Sequence, residues 1–204
     1  IAAPGKTLVW GDWSAIEARV LPWLAGESGE KMLDIFRESD KDPDKPDVYV
    51  TTGAAIVERD PVEVWAEYRD KSHPRNGEAK EIRQAYGKVP VLSLGFGGGL
   101  GALQAMATNY GVYVDDVLGL EVVKNWRKTN KWAVDFWGAK NRQGSYGLWG
   151  AACEAVAAPG TIHTAGRVAF ICDPDYLKGT LFMALPCGRL LSYPKVKWEW
   201  RDVE

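Results

Sequence analysis

The chain has 204 residues and a formal net charge of −2, with 25 Lys and Arg against 27 Asp and Glu. That length allows one sizeable core or two small ones, and the near-neutral balance excludes a globally basic surface, so any nucleic-acid surface must be a local patch. No apolar run reaches the ~18–20 residues of a membrane span, no secretory leader is visible, and Cys153, Cys172 and Cys187 form no Cys-x-x-Cys pair, which argues against a zinc site or a disulfide framework.

Residues 6–13 read as a strand with Leu8-Val9-Trp10 as its apolar run, and Asp12 stands at its end. A helix follows at once, so the carboxylate would be held rigidly at the lip of a sheet. Ser14 can cap that helix, with Glu17 completing a capping box. Ile16, Val20, Leu21 and Leu24 give it an apolar face. Pro22 would remove the bond to the Ala18 carbonyl and kink it, and Gly26 suits its end. Residues 37–47 carry charges and two prolines and read as a loop. A helix is expected over about 48–58. Another starts at Asp60-Pro61-x-Glu63, with Asp at the cap and Pro in the first turn.

After a polar loop from Asp70 to Gly77, a long helical stretch should run from Glu78 to about Phe96 and end in glycines. On one α-helix Lys88, Leu92 and Phe96 would share a face, offering a cation to a triphosphate and an apolar end to a base. Further helices are expected at 100–110, 115–129 and 131–157, the last weakened by Gly138, Gly144, Gly147 and Gly150. From about 162 the period changes. Arg167–Cys172, Thr180–Leu185 and Arg189–Tyr193 read as strands, the last two joined through Pro186-Cys187-Gly188 as a hairpin.

The order Asp12-Trp13-Ser14-x-Ile16-Glu17-x-Arg19 resembles motif A of the family A DNA polymerases, the bacterial polymerase I group and its phage relatives. Arg83, Gly87-Lys88, an apolar stretch and Gly95-Phe96-Gly97-Gly98 resemble motif B, the fingers helix, in its phage form. Trp126-Arg127-x-x-Asn130 with Phe136-Trp137 resembles the fingers region that follows. Residues Pro186 to Tyr193 look like the hairpin returning to the palm. The resemblance implies an α+β, mostly helical fold in three parts: a palm fragment over 1–27 (motif A strand and helix), a helical fingers subdomain over 28–160 with motif B at about 80–101, and strands over 161–204 completing a partial palm sheet.

The same resemblance implies a DNA-directed DNA polymerase that adds deoxynucleotides to a primer 3′ end on a template and releases pyrophosphate. Its partners would be primer-template DNA and a dNTP, its cofactor Mg²⁺ (two ions in the complete enzyme), and its setting the bacterial cytoplasm, phage or prophage encoded. Asp12 would be catalytic and, with the backbone carbonyl of Trp13, would ligate metal. Glu17, Arg83, Lys88, Leu92, Phe96 and Tyr49 would meet the nucleotide, with Glu17 matching the steric gate, Lys88 the triphosphate lysine and Phe96 the aromatic near the templating base. Gly97, Gly98, Arg75 and Lys80 would meet DNA.

Four departures qualify these expectations. Arg83 precedes Lys88 by five residues where the family usually has four. Five residues turn an α-helix about 140° past a full revolution, so a π-bulge or a break near Tyr86-Gly87 is expected to realign the two cations. Leu92 replaces the usual aromatic, and Tyr49 stands where many members have His. No His-Asp-Glu, the family's motif C, occurs in the 204 residues. The chain is therefore expected to be an excised piece that does not extend a primer alone, and its exposed palm strands would allow self-association.

Two other readings compete. Gly5-Lys6-Thr7 is only the tail of a nucleotide-binding P-loop, so an NTPase is disfavoured. A non-catalytic DNA- or nucleotide-binding module derived from a polymerase is the stronger alternative, resting on the basic run Lys71, Arg75, Lys80, Arg83 and Lys88.

Overall fold

The computed structural model describes residues 2–138 and 147–197. Ten α-helices and one four-stranded antiparallel sheet are seen among them, an α+β fold dominated by helix. None of these helices is long and apolar enough to cross a membrane.

The predicted strand at 6–13 does not form. Residues 6–13 carry no helix or strand, and Leu8, Val9 and Trp10 are 69%, 91% and 86% exposed. A strand exists only where a neighbour takes its hydrogen bonds. Among the described residues every ladder belongs to the sheet built from residue 162 onward, so this segment has no partner.

Helix α1 (Ile16–Ala25) runs through Pro22, which is buried, and stops at Gly26, where φ is +71°. The expected Ser14 cap is absent. Ala15 takes the N-cap position in the left-handed region, with no side-chain bond to the helix. Helix α2 (Glu30–Lys41), which the sequence reading did not place, takes in residues 37–41 of the expected loop and leaves only residues 42–47 as loop. Its charged residues lie on a solvated face, where Arg37 pairs with Glu30 and Asp34.

Helix α3 (Val48–Ile56) is capped by Asp47, whose carboxylate accepts the Val50 N–H at 2.8 Å. Helix α4 (Pro61–Arg69) starts as the sequence predicts, Asp60 accepting from Val62 and Glu63. Together α3, α4, α5 (Asn76–Glu81) and the segment after it enclose Val50, Ala54, Val64, Ala79 and Ile82. A second cluster joins α3 to α6 (Val89–Leu94), α7 (Leu100–Asn109) and α8 (Asp116–Thr129) through Ile56, Val89, Leu94, Leu103, Val122 and Trp126.

The predicted single helix at 131–157 is two, α9 (Lys131–Trp137) and α10 (Leu148–Ala157). Gly138 ends the first in extended backbone and Gly147 precedes the second; Gly144 lies outside the described residues. The strands are β1 (Ile162–Ala165), β2 (Val168–Asp173), β3 (Thr180–Ala184) and β4 (Leu190–Pro194), in that spatial order. The sequence reading missed β1, a four-residue strand. The expected β3–β4 hairpin through residues 186–188 is present, pairing Ala184 with Leu190.

The first helix meets the sheet. The C-terminal end of α1 docks against the β1–β2 turn, where the Arg167 N–H donates to the Leu24 carbonyl at 2.7 Å and its Nε to the Trp23 carbonyl at 2.9 Å. The first of these bonds satisfies a carbonyl that the helix C-terminus leaves open, and the Trp23 carbonyl also accepts from the Gly26 N–H. Gly166 makes the approach possible, since a Cβ there would stand 2.2 Å from the Leu24 oxygen. Ala25 shares its cluster with Ala151, Ala155, Val168, Phe170 and Leu181.

Candidate functional site

The stretch predicted as one helix from 78 to 96 is built in three pieces. Helix α5 gives way to a π-helix over Ile82–Lys88, and α6 continues from Val89. The Val89 N–H donates to the Gln84 carbonyl, five residues back. Pro90 accounts for the change locally. It lacks the N–H that an α-helix would send to Tyr86, and it sits in the first turn of α6, where that donor is dispensable. The wider π repeat is the geometry expected to offset the five-residue spacing of Arg83 and Lys88.

The π-helix lies directly on α3. A Cβ at Gly87 would be 2.0 Å from the Tyr49 oxygen, and one at Gly53 would be 2.4 Å from the Ile82 oxygen. Two glycines facing opposite ways let the backbones touch. This contact fixes Tyr49, and with it the side chains that gather around it.

Arg83 donates Nε to Oδ2 of Asp47 at 2.9 Å, and its Nη2 makes an ion-pair contact with the same oxygen at 2.7 Å. Its guanidinium lies 5.3 Å from the Tyr49 ring centre and 5.1 Å from that of Tyr68. Burial, followed by the Asp47 charge, holds the Tyr49 phenol above its ordinary pKa. Tyr110 and Glu17 also act on Tyr49. Lys88 completes the group, its Nζ 4.7 Å from the Tyr110 ring centre. Glu17, Tyr49, Arg83, Tyr110 and Lys88, drawn from four distant stretches of sequence, thus form one neighbourhood.

Helix α1 passes beside α6, where Leu21 Cδ2 lies 3.6 Å from the Cβ position of Gly95. Its opening turn is anchored by Arg19, which forks onto Asp40 at 2.7 and 2.9 Å, donates Nε to the Ser14 carbonyl at 3.1 Å and stacks on Phe36. Asp12 and Trp13 lie just ahead of this anchor on the unpaired segment, both exposed. A cleft of about 300 Å³ opens between α1, α2, α3 and the π-helix, with Arg19, Asp40, Lys45, Asp47, Tyr49 and Arg83 in its walls.

Other expectations change. Phe96 is not on the helix with Lys88 and Leu92: α6 ends at Leu94, and Phe96 occupies the turn that follows, 64% exposed. The glycines explain this ending, since Gly97 has φ +80° and its N–H bonds back to Leu94. Leu92 is half-buried on α6. Gly98 serves internal packing, because a Cβ there would meet the Ser93 oxygen at 2.2 Å, and its own carbonyl accepts from Arg127.

The basic run is only partly free. Arg75 pairs with Glu78 at 3.1 Å and with Glu67 at 3.3 Å, while Lys80 is exposed. Sequence reasoning missed Asp47, Tyr68, Tyr110 and Asp40 as neighbours of the site. Asp47 carried a signal, an Asp three residues before a buried helical position. The others are long-range partners with no local signature.

No protein-family model matches the chain, and no solved structure does. The chain is similar to a DNA polymerase of Bacillus phage SP02, with 36% identity over 200 residues that cover 98% of this chain. It spans only 26% of the length of that polymerase.

Proposed function

We propose that this chain is the palm-and-fingers piece of a family A DNA-directed DNA polymerase, serving template-directed transfer of a deoxynucleotide to a primer 3′ end. The observation that carries the reading is the 36% identity to a phage DNA polymerase along almost the whole chain. The π-helix between Arg83 and Lys88 and the gathering of Glu17, Tyr49 and Lys88 support it.

In this reading Lys88 and Arg83 bind the triphosphate as charge-assisted donors. Tyr49 lies between them and the sugar, and Glu17 crowds out a ribose 2′-hydroxyl. Phe96 stacks near the templating base, Leu92 gives an aliphatic surface beneath the incoming base, and Gly97 with Arg75 and Lys80 borders the template. Fingers closure brings Lys88 and Phe96 toward Asp12. Among the described residues no cluster of three or more His, Cys, Asp or Glu could hold a metal unaided. The Asp12 carboxylate and the Trp13 carbonyl are hard oxygen donors that suit Mg²⁺, an ion that commonly shares its shell with substrate phosphates. Bound there, Mg²⁺ would polarise phosphate oxygens and offset their charge.

One carboxylate is half of the family's metal-binding pair, so the chain alone does not turn over. The test combines primer extension with nucleotide titration. We expect no extension, together with saturable dNTP binding that needs a divalent ion. Primer extension by the chain alone would refute the one-carboxylate argument, and no nucleotide binding under any condition would refute the site.

A further inference from the structure

We propose that Asp47 is the resident counter-ion of Arg83, and that an incoming polyphosphate must compete with it for the guanidinium. This deepens the nucleotide-binding reading and rests on it. The two cations of the π-helix differ in availability. Lys88 lies over an aromatic ring with no carboxylate partner among the described residues, whereas Arg83 is committed, with two of its nitrogens on a single oxygen of Asp47.

Asp47 cannot follow a departing guanidinium. Its other oxygen, Oδ1, accepts the Val50 N–H at 2.8 Å and caps α3, the helix that carries Tyr49. The pair is also within reach of solvent, since the side chains are 24% and 26% exposed and both line the 300 Å³ cleft. Arg83 is held between Tyr49 and Tyr68, so it can exchange one anion for another with little loss of orientation. A phosphate that engages it meets the fixed negative charge of Asp47 a few ångströms away. Asp47 therefore pre-orients the cation and at the same time weakens anion binding. The cleft's other guanidinium, Arg19, is also paired with a carboxylate, Asp40, so the cleft keeps its guanidiniums neutralised when no anion is present.

The decisive variant is Asp47→Asn, because Asn caps helices as well as Asp does and only the charge is lost. The probe is dATP with Mg²⁺, followed by calorimetry or tryptophan fluorescence on the whole chain, with circular dichroism melts to verify folding. We expect Asp47→Asn to bind about tenfold more tightly than the wild type. The gain should vanish when Arg83→Gln is present in both proteins of the comparison. Wild-type binding that Asp47→Asn leaves unchanged or weakens would overturn the competition alone. So would a gain that survives Arg83→Gln. Binding by neither protein would overturn the nucleotide reading along with it.

Discussion

Replacing Gly87 with Ala tests the contact on which the site is built. The new methyl carbon would stand 2.0 Å from the Tyr49 oxygen and 2.7 Å from its carbonyl carbon. An ordinary carbon–oxygen contact is about 3.3 Å, so α3 must retreat by about 1 Å. That movement loosens an interface containing Val50, Ala54, Ala79 and Ile82, all buried. Overpacking in cores costs about 1–3 kcal/mol when side chains can adjust. Here the obstacle is backbone, so a gross cost of about 3–4 kcal/mol is expected, from which the better helix propensity of Ala returns about 1 kcal/mol. The net loss of about 2–3 kcal/mol should lower Tm by about 4–12 °C in a chain of this size. The control is Gly101→Ala in α7, where a Cβ meets nothing within 4 Å. It should raise stability by about 0.5–1 kcal/mol. Thermal unfolding followed at 222 nm compares the two, and a Gly87→Ala protein that melts at or above the wild type would refute the close contact.

Three further outcomes are expected. Glu67 takes both guanidinium nitrogens of Arg59 at 2.8 and 3.0 Å, with only 9% of its own side chain exposed, so Glu67→Ala should cost about 3 kcal/mol in denaturant melts while Glu63→Ala on the same helix does little. The Arg59 bond also holds the Glu67 carboxyl below its usual pKa of 4.5; a depressed folded-state value means that this stabilisation is full above about pH 4.5 and is lost as pH falls through the lower folded value. Glu67→Gln should therefore flatten the decline in stability below pH 4.5, and an unchanged slope would sink that assignment. Arg19→Ala should cost about 1 kcal/mol and speed amide exchange in the first turn of α1, because it frees Ser14 and Asp40 together.

Legibility varied with how local the determinants are. Helix α4 was readable because Asp60-Pro61 carries both its cap and its first turn. The break near Tyr86-Gly87 was readable because the Arg83–Lys88 spacing conflicts with an α-helix and Pro90 lacks a donor. The strand at 6–13 was misread because an apolar run does not supply a ladder partner. The shared face of Lys88, Leu92 and Phe96 assumed that helix continued to residue 96, while Gly97, in positive φ, lets the chain turn after Leu94. Gly98 was read as room for DNA, but the chain's own Ser93 carbonyl occupies that room. The gathering of Tyr110, Tyr68 and Asp47 around Tyr49 and Arg83 depends on tertiary packing, which spacing along the chain does not encode.

Nucleotide titration of Lys88→Gln tests the central claim most directly. Lys88 is half-buried, and its replacement removes a cation without disturbing an ion pair among the described residues. If the π-helix presents a triphosphate-binding face, dATP with Mg²⁺ should bind the variant at least about tenfold more weakly than the wild type, with an unchanged melting curve. Equal affinity of the two proteins for dATP would contradict the account.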